Sequence, residues 1–298
     1  MNQPSRRAAL ALAVALLSGS AGARPEPVLN TAKIEQLTGA KGAMDPAEGV
    51  FKVSLPRADL KVEVTGVHLT PPMGLTCWAA FRRVGAHTVV MGDQVLSEHQ
   101  VDAVLDAALR NGLEVTALHN HFLFDSPRVM FMHIGGMGDE EKLATAVGKV
   151  FATIKETSSR ASAPPSVDID PASTTLDAAK IERILGHKGQ LQAGVYKVVI
   201  GRTTKMGGHP VGNAMGVNTW AAFAGRDDRA VVDGDFAMEE GEVQRVLRAL
   251  RAGGISIVAL HNHMIGEDPR IVFLHFWGVG STTHLAQGIA SALKAQGQ

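Results

Sequence analysis

The stretch GLEVTALHNHFLFDSPRVMFMHIGG, residues 112–136, alternates in period two, breaks at Asp125-Ser126-Pro127, and alternates again. Such alternation on both sides of a turn marks two paired strands. Successive strand side chains point to opposite faces, so His119 and His121 project from one face about 7 Å apart, with Val115 and Ala117 before them. The run Arg128 to Ile134 supplies the neighbouring strand, whose matching face carries Val129, Phe131 and His133. Antiparallel pairing then brings His133 toward the other two imidazoles.

The same pattern returns as VALHNHMIGEDPRIVFLHFWG, residues 258–278, with His261, His263 and His275 in the equivalent places. At this offset of 142 residues Trp78 to Phe81 matches Trp220 to Phe223, and Gly92-Asp93 matches Gly234-Asp235. Earlier in the chain Lys33-Ile34-Glu35 returns as Lys180-Ile181-Glu182. The chain is therefore a tandem duplication. In each copy one helix follows the i, i+3, i+4 rule through Val101, Val104, Leu105, Ala108 and Leu109, with Ser97 and Gln100 as a capping box and Gly112 as its stop. A second follows Asp139 through Leu143, Val147, Phe151 and Ile154. β-Favouring runs fill 50–55, 60–67, 78–83, 87–91, 114–121 and 128–134. The expected class is α+β: two tandem homologous domains, each a mostly antiparallel sheet with about two helices, packed about a pseudo-two-fold axis as a homodimer would be. The expected boundaries are 24–156 and 178–298, joined by a linker over 157–177 that is rich in Ser, Ala, Pro and Thr.

Composition narrows the function. The 29 Lys and Arg residues balance 29 Asp and Glu residues, which gives no electrostatic reason to expect nucleic acid as a partner. A single cysteine, Cys77, excludes an intrachain disulfide framework and a thiolate zinc site. Arg6 and Arg7, the apolar run Ala8 to Leu17 and the small residues Ala21-Gly22-Ala23 read as a signal peptide over residues 1–23. That run is too short to span a bilayer, which needs about 20 residues. A periplasmic or secreted protein is expected, and Ser5-Arg6-Arg7 resembles a twin-arginine signal. There is no P-loop, no Gly-x-Ser-x-Gly elbow and no Cys–His nucleophile pair.

Chemistry thus falls to the 12 histidines. Three converging imidazoles suit Zn²⁺, which accepts three protein nitrogens and keeps a fourth position for water or substrate. His119, His121 and His133, with His261, His263 and His275, are the expected metal ligands; copper and iron are alternatives, and Met130, Met132 and Met137 nearby would suit copper. A purely structural alternative has the imidazoles bonding one another and the Asn120 or Asn262 backbone to lock the hairpin. Arg128 and Arg270 are candidates to orient a substrate carboxylate, or else pair with Asp125 and Glu267. Asp93 and Asp235 read as turn residues, Glu98 and Glu240 as helix-dipole partners, and Trp78 and Trp220 as core. His68 and His209 are expected near the site, and the glycine runs at 135–138 and 278–280 read as loops.

The segments 112–136 and 258–278, with VVDGDFAMEEGEVQRVLRAL at 231–250, resemble the LppY/LpqO-type exported proteins, whose duplicated domain has no settled function. The resemblance covers nearly the whole mature chain and implies export and duplication, although no cysteine follows the apolar leader to carry a lipid. The His-x-His…His spacing also resembles the zinc site of acetolactate decarboxylase-like proteins, without their Gly-Gly-His ending. That likeness implies His119, His121 and His133, or their second-copy equivalents, as ligands, with Arg128 or Arg270 orienting a carboxylate. The expected function is a metal-dependent hydrolase or lyase acting on a small carbonyl or carboxylate compound; the alternative is a non-enzymatic metal-handling or ligand-binding protein.

Overall fold

The computed structural model describes residues 28–159 and 165–297. The segment 1–23 expected to be a signal peptide and part of the expected linker lie outside the described residues. Each copy contributes six strands to one continuous sheet. The first copy supplies β1 (Lys41–Asp45), β2 (Val50–Pro56), β3 (Thr76–Val84), β4 (His87–Ser97), β5 (Glu114–His119) and β6 (Val129–Gly138). The second supplies β7 (Gly189–Gln192), β8 (Val195–Gly201), β9 (Asn218–Arg226), β10 (Arg229–Glu239), β11 (Ser256–His261) and β12 (Ile271–Gly280). The order β1-β2-β3-β4-β6-β5-β11-β12-β10-β9-β8-β7 is a palindrome of equivalent strands, and every pairing is antiparallel. At its centre Leu118 faces Leu260, its own equivalent, which fixes the pseudo-two-fold axis.

Each copy carries the two expected helices, α2 (Val101–Arg110) and α3 (Glu140–Thr157), or α5 (Val243–Ala252) and α6 (Thr282–Gln296). Each adds a short third helix, α1 (Thr31–Thr38) or α4 (Ala178–Leu185), which packs on α3 or α6. Caps set their starts: Asn30 accepts from Lys33 N–H, Asp139 from Lys142, Asp177 from Lys180 and Ser281 from His284. The capping box of Ser97 and Gln100 turns the chain into α2, and Glu239 with Glu242 does the same before α5. Behind each box an arginine, buried in copy one and partly buried in copy two, ties helix to strand. Arg57 donates to the Val95 carbonyl and to Gln100, and Arg202 to the Ala237 carbonyl and to Glu242.

The helices cover one face of the sheet. On it Phe51, Ala79, Phe81, Val90, Leu118 and Ile134 are buried against Leu143, Val147 and Phe151. Each such fully buried large side chain removes apolar surface worth roughly 1.5–3 kcal/mol. The other face is open, and Met91, Met137, Trp277 and Val279 lie exposed on it. Trp78 and Trp220 belong to this open face, not to the core. Their cross-strand partners are Asp93 and Asp235, and the Lys52 and Lys197 ammonium groups stand 4.0 Å and 3.9 Å over their rings.

Two further expectations are corrected. The glycine runs 135–138 and 278–280 are strand, the ends of β6 and β12. Gly136 is small because α3 crosses there: a Cβ would stand 3.1 Å from Leu143. Val115 and Ala117 do not share a face, because the β5–β6 register slips between them at a bulge. Val115 pairs with Ile134 on the helix side, and Ala117 pairs with His133 on the open side.

The two halves are welded at the axis. Gln244 of α5 bonds both the N–H and the carbonyl of Val115 at 3.1 Å and 2.8 Å. Across the axis, Asp102 of α2 accepts from the Ser256 hydroxyl at 2.7 Å. Arg251 pairs with Asp102 and Asp106, each at 2.9 Å. Among the described residues no helix is long and apolar enough to cross a membrane.

Candidate metal centres at the repeat junction

His119 is the last residue of β5, and His133 sits opposite Ala117 on β6. His121 follows one turn into the loop and stacks flat on Phe131, with ring centroids 3.3 Å apart. The loop itself is held at both ends. Asn120 donates to the Phe122 carbonyl at 2.8 Å, Asp125 accepts from Val129 N–H at 2.8 Å, and Asp125–Ser126 pairs with Glu63–Val64. Ring centroids of His119 lie 5.1 Å from those of both His121 and His133. One nitrogen of each imidazole lies within 4.8 Å of the others.

His119 Nδ1 faces the Asn120 carbonyl at 3.3 Å, and its Nε2 faces His133 Nε2 at 3.1 Å. A proton held on Nδ1 by a backbone oxygen leaves Nε2 as a lone pair pointing into the trio, the arrangement of a metal-binding imidazole. Among the described residues the first trio is the one group whose donor atoms gather closely enough to hold an ion, and the second copy keeps the same residues in a looser arrangement. His261 Nδ1 faces the Asn262 carbonyl at 3.5 Å, and its Nε2 is buried without a partner. Ring centroids of His261 lie 5.0 Å from His263 and 4.8 Å from His275. Desolvation holds His121, His261 and His263 below the usual imidazole range, which favours their neutral form.

The two aspartates are the residues that sequence reasoning passed over. Asp93 and Asp235 sit in mid-strand, opposite His133 and His275. The glycine before each is there for space rather than for a turn: a Cβ on Gly234 would stand 2.3 Å from the Trp220 carbonyl oxygen. Asp235 Oδ2 lies 3.7 Å from His263 Nε2 and 4.0 Å from His275 Nδ1. Burial pushes its carboxyl up to about 6, against the pull of His275.

The central strands meet at Leu118 and Leu260 and splay to either side. The two gaps are clefts of about 700 and 730 Å³, each lined by both copies, and His119 and His261 line both. Arg270 lies in the first with Glu240, and Arg128 in the second with Glu98. The arginines pair with these glutamates at 3.4 Å and 3.9 Å, not with Asp125 and Glu267, whose carboxylates accept strand N–H groups instead. All four side chains are well exposed. His68 and His209 lie on small outlying sheets and line neither cleft. Cys77 is buried, and desolvation pushes its thiol up to about 11, which leaves it inert.

Comparison with known proteins agrees with the duplication. The family described as Domain of Unknown Function (DUF1259) matches residues 32–153 and again 179–295. The chain belongs to that family. Among curated proteins none matches it. Two solved structures are similar to this DUF1259 chain at a low level. One is the trimeric bacterial microcompartment shell protein PduB, at 11% identity and a TM-score of 0.19, covering 85% of this chain and 89% of that one. The other is a double-ringed trimeric shell protein of the RMM microcompartment, at 14% identity and a TM-score of 0.20, covering 72% and 85%. Likeness at this level carries no argument about the DUF1259 chain, whose chemistry rests on its own geometry.

Proposed function

We propose that this protein is an exported, metal-dependent hydrolase or lyase with two three-histidine centres, one per copy, acting on a small carbonyl or carboxylate compound. The observation that carries the reading is the convergence of the His119, His121 and His133 nitrogens within 4.8 Å, with the same residue types in the second copy and with His119 and His261 lining two clefts. Imidazoles at that spacing fit Zn²⁺ and leave a position open for water or substrate. Zinc held there would lower the pKa of a bound water toward 7 or polarise a carbonyl. Arg128 and Arg270 stand in the same clefts to receive a carboxylate. The likeness of residues 112–136 and 258–278 to LppY/LpqO-type exported proteins, and the leader over residues 1–23, support export to the periplasm or medium.

A cleft of about 700 Å³ admits a small molecule, which favours an enzyme over a metal-handling protein. Copper is disfavoured because Met132 is in the core and Met137 lies far along β6, leaving Met130 as the one methionine in the cleft. A second reading, an imidazole lock without an ion, draws on the 3.1 Å contact between His119 and His133. The deciding measurement is metal content after zinc loading of protein purified without a His tag. Two equivalents per chain are expected, and none in the variant combining His121→Ala with His263→Ala. A wild-type chain that retains no metal, or a variant that keeps it, sinks the proposal in favour of the lock.

A further inference from the structure

Opposed residues of an antiparallel pair share one face of the sheet, with Cβ atoms ~4.5–5.5 Å apart. Asp93 and Asp235 therefore stand directly beside His133 and His275 on the open face, under the metal trios. Both are nine-tenths or more buried, at 9% and 3% exposure. A carboxylate at such depth needs a cation, because desolvation of an unpaired charge is costly. Among the described residues no Lys or Arg nitrogen lies within 4.0 Å of either one, and the imidazoles around them are the neighbours that a metal would need neutral.

The oxygen atoms point the same way. Asp93 Oδ1 is buried with no partner, and the closest grouping of donors beside it holds the three imidazoles alone, so ligation by Asp93 requires its carboxylate to move in when the ion binds. Asp235 spends Oδ1 on Leu274 N–H at 3.1 Å and turns Oδ2 toward His263 Nε2 at 3.7 Å and His275 Nδ1 at 4.0 Å. Those separations are too long for hydrogen bonds, which is what a carboxylate orienting an imidazole from behind would show. They approach the spacing of two donors on one ion, about 3.4 Å for bonds of ~2.1 Å at tetrahedral angles. The copies have diverged around the site, with Met130, Met132 and Ile134 replaced by Val272, Leu274 and Phe276, yet both retain the aspartate beside the third histidine.

We propose that Asp93 and Asp235 are the fourth protein ligands of the two centres, giving donor sets of three imidazoles and one carboxylate. This rests on the metal reading above. The carboxylate brings one negative charge and a hard oxygen to each centre, which steers it toward Zn²⁺ or Fe²⁺ and away from Cu⁺. An ion held by these donors would supply Lewis-acid chemistry to a molecule in the cleft, where Arg128 and Arg270 stand.

The test uses the full mature chain, prepared metal-free, with Co²⁺ alone as probe, because its visible spectrum reports coordination number and donor set. Wild type is expected to bind two Co²⁺. The variant Asp93→Asn with Asp235→Asn is expected to bind at least about 100-fold more weakly, with an altered visible spectrum. Its metal-free form should melt no lower than metal-free wild type, since the substitution removes a buried charge that nothing offsets without the ion. The single variants, each with the other centre intact, carry the test if the double variant does not fold. Unchanged affinity and spectrum overturn the proposal. Weaker binding with an unchanged spectrum also overturns it, and makes the aspartates positioning residues. If wild type itself binds no Co²⁺, the metal reading falls and takes this inference with it, an outcome distinct from the other two.

Discussion

In copy one the loop behind the trio carries Phe122, Leu123 and Phe124, and one nitrogen of each imidazole lies within 4.8 Å of the rest. In copy two the same loop carries Met264, Ile265 and Gly266, and His263 and His275 turn toward Asp235. The histidines, their strands and their register are shared, while the rim is not. The two halves thus carry the same three histidines and aspartate and differ in the residues that rim them. The largest test of this separation is to remove one trio at a time. His121→Ala and His263→Ala, made singly, should each lower bound zinc from two equivalents to one by elemental analysis. Loss of both equivalents from one substitution would merge the trios into a single shared site across the axis.

The halves also differ in how they hold each other. Arg251 of α5 reaches Asp102 and Asp106 of α2 with a side chain that is 13% exposed, while its equivalent in copy one is the apolar Leu109. Its carboxylate partners are partly solvated, so the pairs sit between surface and buried values. Arg251→Ala should cost about 1–3 kcal/mol in urea unfolding. An unmoved midpoint would mean that the Leu118–Leu260 contact and the helix packing alone join the copies.

What could be seen in the sequence follows from where each signal resides. The duplication and the helix caps at Ser97 and Asp139 are local patterns, and the structure places them as the spacing implies, whereas the strand expected over 114–121 ends at His119 and leaves His121 in the loop. Asp93 and Asp235 were not legible as site residues, because a Gly-Asp pair resembles a turn, and only the β4–β6 and β10–β12 registers bring them beside the third histidine. The side of Trp78 depends on the same cross-strand parity. The bulge that divides Val115 from Ala117 has no marker in composition. The glycines at 135–138 mimic a loop because the helix that requires their smallness is packed from outside the segment. Arg128 and Arg270 are near Asp125 and Glu267 in sequence, but the first N–H groups of β6 and β12 take those carboxylates.

The rim contrast sharpens at one backbone position. Phe124 holds φ at 62°, left-handed space that costs a side chain-bearing residue about 1–2 kcal/mol, whereas its equivalent Gly266 holds φ at 82° without that penalty. Phe124 is 82% exposed on the cleft, so packing does not offset the strain. Phe124→Gly should therefore stabilise the fold by about 0.5–1 kcal/mol, the glycine's unfolded-state freedom offsetting part of the relief, and Gly266→Phe should destabilise it. Calorimetric melting of both variants decides it. A loss of stability in Phe124→Gly would show that the ring makes contacts worth more than the strain.

The smallest expected effects separate ligand contact from structure at the arginines. Arg128 and Arg270 are 63% and 62% exposed and pair with Glu98 and Glu240 at 3.9 Å and 3.4 Å. Exposed pairs at such distances contribute about 0–1 kcal/mol, with the lower end expected at these lengths. Arg128→Ala and Arg270→Ala should thus each shift the urea midpoint by less than about 0.5 kcal/mol and leave zinc content at two equivalents. Against that flat background, weaker binding of a carboxylate probe in isothermal titration to the zinc-loaded chain reports the arginines' role directly. The two need not contribute equally, because Arg128 shares its cleft with Phe122, Leu123 and Phe124 while Arg270 shares its own with Glu114, Glu240 and Gln244. A carboxylate with an apolar substituent should lose more in Arg128→Ala than in Arg270→Ala; equal losses would mean that the rim residues do not discriminate between the copies.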